Sequence, residues 1–126
     1  MSKNNNWITK EIIENSINTI YIFGDNLQHR GLGGQAKICR PFVDKGKAIG
    51  IPTKRSPTMY DSAFFSDKID EAKAINKAID EISEKYREGY KIVFLPNIGK
   101  GYAQMPHRSP ILYKLLNEYI NIFRDE

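Results

Sequence analysis

The sequence predicts an α/β protein: a three-layer α/β/α sandwich around a mostly parallel sheet. Three observations carry this. Three short β-prone runs, NTIYIFG, KAIGIP and KIVFLP, are apolar on both faces, as buried strands of a parallel sheet are. Segments with helical spacing alternate with them, which argues for crossover connections and helices on both faces. The chain has 126 residues, 40% hydrophobic and 27% charged, with one cysteine. That is one domain (1–126), long enough to bury a core without disulfides.

The elements follow in order. Residues 8–17 place Ile8, Ile12, Ile13 and Ile17 on one side of a short helix. A strand over 19–23 is closed by Gly24. The polar, glycine-rich stretch GDNLQHRGLGGQ leads into a short helix at 34–40, stopped by Pro41. A second strand, 47–52, ends at Pro52, and a long connection runs to residue 66. The clearest helix spans 67–88, with Ile75, Ala78, Ile79, Ile82 and Tyr86 at three-to-four-residue intervals. Ser66 or Asp67 can accept from its first amides, and Gly89 can supply a left-handed stop. A third strand covers 91–96. Ser109-Pro110 makes an N-cap and first-turn pair for a last helix over 110–123.

In an open parallel sheet, ligands bind beyond the carboxyl ends of the strands. Three loops fall there: Gly24–Gln35, the segment after Pro52, and Asn97–Met105. Gly31, Gly33 and Gly34 let backbone amides approach a phosphate, and a helix start adds its positive dipole end. The pattern is neither a Walker motif nor GxGxxG. Gly99-Lys100-Gly101 forms a second such loop. Two glycine loops at one sheet edge can grip two sides of one diphosphate. Tyr102 offers a ring to a ribose or base, and Thr53, Lys54 and Arg55 offer polar and basic groups to phosphate. Asp25 has three readings: general base, turn-former, or ribose ligand. Asn26 shares the turn reading, and His29 sits in the same polar loop. Cys39 reads as a small buried apolar residue.

The charge is mildly positive: 19 Lys and Arg against 15 Asp and Glu. Between His29 and Arg55 the bases Arg30, Lys37, Arg40, Lys45, Lys47, Lys54 and Arg55 face one acid, Asp44. This suits an anionic ligand. Residues 1–10 have no apolar signal core, and no apolar run approaches a membrane span, so a cytoplasmic protein without a membrane partner is expected. No cysteine or histidine spacing suggests a metal, and no cofactor is expected.

Asp25-Asn26 followed by Gly31–Gln35 resembles the asparagine and triple-glycine loop of the macrodomain family. LPNIGKGYAQMP, 95–106, resembles that family's strand and loop of the type P-x-[IS]-[GS]-x-G-x-[FY]-x-x-P. The pattern FGDNL…RGxGGQA…GIPTKR further resembles a small bacterial and phage subgroup. The likeness covers about residues 19–123. It implies an ADP-ribose-type cleft in which Gly33, Gly34 and Gln35 line the proximal phosphate. Ile98, Gly99, Lys100, Gly101 and Tyr102 would surround the diphosphate and distal ribose, and Asn26 would contact that ribose. The chain departs from hydrolytic members. Gln35, Ala36 and Lys37 stand where an acid often follows the glycines, and no strand before residue 19 supplies an adenine-contacting aspartate.

The expected function is therefore binding, and by binding sequestration, of a nucleotide-derived diphosphate such as ADP-ribose or a cyclic nucleotide signal. In a phage such a binder would act against a host signal. The enzymatic alternative is an ADP-ribosyl hydrolase or nucleotide phosphodiesterase with Asp25 or His29 activating water. A nucleic-acid module, suggested by the basic stretch, is the weaker third reading, since no stacking array or recognition helix accompanies it.

Overall fold

Local chemistry sets where each element begins and ends. The computed structural model describes residues 8–124. Helix α1 (Lys10–Asn15) starts where Thr9 Oγ1 accepts from the Ile12 amide at 3.1 Å. Of the predicted apolar face only Ile13 is fully buried, while Ile12 and Ile17 face solvent. A helix of six residues docks about one side chain per turn, and Ile17 lies beyond its end.

Strand β1 (Thr19–Asn26) runs past Gly24, which does not close it. It is held open by parallel pairing with β2 (Ala48–Lys54), in register Gly24 with Ile51, Asp25 with Pro52, and Asn26 with Lys54. The register slips between Asp25 and Asn26, a bulge at the strand's end. Pro52 does not end β2 either. The sheet order is β2-β1-β3, so β2 is an edge strand, where a missing N–H is tolerated. Helix α2 (Ala36–Cys39) is a single turn. Pro41 does not stop the helical path; it sits at the start of a 3-10 turn, Arg40–Phe42, where no N–H is required.

Helix α3 (Ile69–Arg87) begins later than expected. Glu71 reaches back and accepts from the amides of Ser66 at 2.8 Å and Lys68 at 3.0 Å. Gly89, at φ +102°, ends it as anticipated. Tyr86 is half exposed instead of buried, its ring edge-on to Phe123 at 5.9 Å. Strand β3 (Lys91–Phe94) pairs parallel with β1 and is shorter than expected. Helix α4 (Met105–Arg108) precedes α5 (Pro110–Arg124). Ser109 does not cap α5: its Oγ is buried and has no partner among the described residues. Asp67, which the sequence assigned to α3, accepts instead from Ile111 at 3.3 Å and Leu112 at 2.9 Å. A carboxylate oxygen is a stronger acceptor than a hydroxyl for those amides.

Alternation along β1 divides the core between the two faces of the sheet. Ile20 and Ile22 join Ile49, Ile51, Ile75, Ile82, Leu116 and Ile120, from β2, α3 and α5. Tyr21 and Phe23 join Ile13, Cys39, Phe42 and Ala48, from α1, α2, the turn after it and β2. The fold is thus α/β, with helical residues packed on both faces of a three-stranded parallel sheet. Because all strands point one way, the loops after Asn26, Lys54 and Phe94 emerge at one edge. No helix among the described residues is long and apolar enough to cross a membrane.

Candidate functional site

The three loops enclose a cleft of about 380 Å3. Fourteen of the residues expected to bind ligand line it: Asp25, Asn26, Gly31, Gly33, Gly34, Gln35, Thr53, Lys54, Asn97, Ile98, Gly99, Lys100, Gly101 and Tyr102. Arg55 and His29 are not among its lining. The two glycine loops face each other, since a Cβ added at Gly34 would lie 3.8 Å from the Tyr102 ring.

The polar side chains of the first loop are committed to one another. Asp25 is a buried strand residue, which corrects the turn reading. Its Oδ1 accepts from Arg40 Nη2 at 2.7 Å, and its Oδ2 lies 3.0 Å from His29 Nδ1. The neighbouring strand must leave room for it: a Cβ on Gly50 would come within 2.7 Å of Asp25. Arg40 also donates to the carbonyls of Gly31 at 2.9 Å and Arg30 at 3.2 Å. It therefore ties the start of the loop to the sheet. Asn26 is a strand residue too, but its side chain does brace the turn after it. It donates to Arg30 O at 2.8 Å and accepts from the Gln28 amide at 3.0 Å. Gln35 accepts from the Gly24 amide and donates to Pro96 O. The side chains of Asn26 and Gln35 thus shape the loop.

The basic residues after β2 divide. Lys54 lines the cleft but is buried, donating to Thr58 O at 2.6 Å and lying 4.7 Å over the Phe64 ring. Burial, aided by the nearby Arg108 charge, lowers its pKa. Arg55 points away, bonded to Asp70 at 2.8 Å and to the fully buried Glu71 at 2.7 Å. Thr53 Oγ1 donates to Asp25 O at 3.1 Å. Phe64 and Phe65 dock the long connection on the core, whereas Met59 and Tyr60 stay exposed.

What the cleft leaves unpaired is backbone. The amides of Gly31, Gly33, Gly34 and Gln35 donate to no acceptor among the described residues, nor do those of Gly99, Gly101 and Tyr102. Gly31, Gly34, Gly99 and Gly101 all have positive φ, and left-handed residues within a turn splay successive N–H groups into an anion-sized concavity. Helix α2 is one turn, so the expected macrodipole contribution gives way to these individual amides. Arg30, Arg40, Lys54 and Lys100 outnumber Asp25 around the cavity, while Ile98, Pro57 and Met59 supply apolar wall.

The sequence reading missed Arg40 and Pro57 as cleft residues. Arg40 stands one helical turn after Ala36, and that spacing was the available signal. His107 lines a separate hollow with Arg108 and Phe64, so the two histidines do not share a site. Cys39 is buried in α2, and burial pushes its thiol up to about 12, which makes it a poor nucleophile.

The profile of a family of unknown function (DUF7831) matches residues 3–119. The chain belongs to this family. Nothing among curated proteins or solved structures matches it.

Proposed function

We propose that this protein binds a nucleotide-derived, diphosphate-bearing ligand in the cleft between its two glycine loops, in the manner of a macrodomain and in the cytoplasm. The observation that carries the reading is the pair of unpaired amide sets, 31–35 on one loop and Gly99, Gly101 and Tyr102 on the other, around one cationic cavity. Such donors stabilise an anion without paying for reorganisation. The apolar wall and the exposed Tyr102 ring would then receive the ligand's base or ribose. A ligand held this way is sequestered. Calorimetry with ADP-ribose, ADP and AMP tests it. ADP-ribose or another diphosphate should bind, and Gly33→Asp should abolish binding by setting a carboxylate against the anion. A Cβ on Gly33 would meet nothing within 4 Å and its φ is not left-handed, so that variant should fold. Absence of heat with every diphosphate would sink the proposal.

One observation favours a hydrolytic second reading: the Asp25–His29 contact, which orients the imidazole. Against it, Asp25 is also bound by Arg40, and the His29 side chain is 66% exposed outside the cleft. Ligand recovered unchanged after incubation excludes it. Of the seven bases that motivate the nucleic-acid reading, four are engaged within the protein, while Arg30, Lys37 and Lys45 are exposed. Lys47 donates to the carbonyls at the end of α1, Arg40 and Arg55 pair with carboxylates, and Lys54 is buried.

A further inference from the structure

We infer that Gln35 is a positioning residue that sets the gap between the two glycine loops, and so makes the cleft prefer two linked phosphates to one. The inference rests on the diphosphate reading above. The last backbone bond of the β1–β3 ladder runs from the Leu95 amide to Ile22 O, 2.9 Å. Beyond it the ladder stops, and the Gly24 amide, next in register on β1, finds no β3 carbonyl. The Gln35 carboxamide enters at that point. Its Oε1 takes the Gly24 amide at 3.1 Å and its Nε2 donates to Pro96 O. Gln35 itself ends the first glycine loop, and Pro96 opens the second, 61 residues away in sequence. One side chain therefore fastens both loops to the central strand and spaces them.

A ligand that bridges both amide rows gains from a fixed gap, whereas one that occupies a single row does not. Gln35→Met keeps the volume and removes both hydrogen bonds. Gln35→Glu keeps the acceptor for Gly24 but cannot donate to Pro96. The first readout needs no ligand: amide hydrogen exchange in Gln35→Met should accelerate at Lys100 and Met105, whose amides are bonded within the second loop, as well as at Gly24 and Ala36. Protection unchanged at Lys100 and Met105 would overturn the spacing role whatever the cleft binds. The second readout is selectivity. Both variants should weaken ADP-ribose about tenfold relative to AMP, measured by competition. Equal weakening of both ligands, or of neither, would show that Gln35 acts only on stability. If wild-type protein binds no diphosphate while exchange responds as expected, the binding reading fails and the spacing role stands.

Discussion

The two glycine loops frame one cleft but are held by different forces. The first, Gly24–Gln35, is tied by side chains: the Asp25–Arg40 ion pair, the Asn26 amide and the Gln35 carboxamide. The second, Asn97–Gly101, is anchored at its start by the Gln35–Pro96 bond and otherwise tied by its own backbone and by packing. Lys100 N–H bonds Asn97 O at 3.0 Å, and Met105 N–H bonds Gly99 O at 2.9 Å. A Cβ at Gly99 would lie 2.9 Å from Met105 Sδ and 3.3 Å from Leu116. The first loop thus depends on charge and the second on volume, so perturbations that separate charge from volume should separate the loops.

The largest effect belongs to Arg40→Ala. It strands the Asp25 carboxylate, 4% exposed, with only His29 beside it. A loss of about 3 kcal/mol is expected in urea unfolding. Hydrogen exchange should rise at His29 and Ala36, bonded within the first loop, and not at Lys100 and Met105. Next comes Gly99→Ala, which forces a side chain into φ +90° and against Met105. About 2 kcal/mol is expected, with loop two loosened and loop one intact. Asp67→Ala removes the long-range cap on α5, whose Leu116 lies under Gly99. It should cost about 1 kcal/mol and again reach only loop two. Ser109→Ala should cost nothing in the same assay, because its hydroxyl has no partner.

The remaining effect is alkaline. Cys39 anchors α2 behind loop one, and its thiol titrates at about 12 when folded against 9.0 in the ordinary range. The folded state holds the proton longer, so stability is intact below pH 9 and declines as pH rises towards 12. Cys39→Ala should flatten that decline in unfolding curves taken from pH 8 to pH 10.5. An unchanged slope would show that the thiol contributes nothing there.

The strands and long helices were legible because their apolar spacing is a property of a few adjacent residues. Ends were less so. Whether Gly24 or Pro52 closes a strand depends on which strand lies alongside, and β2 proved to be an edge that tolerates its proline. The cap of α5 was misread for a related reason: Asp67 is 45 residues from Leu112 in sequence. The cleft's outline was legible, since the parallel order brings three loops to one edge. The roles within it were not. Arg55 follows Lys54 directly, yet one lies in the cleft and the other is bound to Glu71 behind it. Gln35 read as a ligand contact because its partners, Gly24 and Pro96, are distant along the chain.

The claim that both amide rows grip one ligand is tested most directly by amide chemical shifts. On titration with ADP-ribose, resonances of residues 31–35 and 99–102 should move together along one binding curve. Movement of only one row, or of neither, would contradict it.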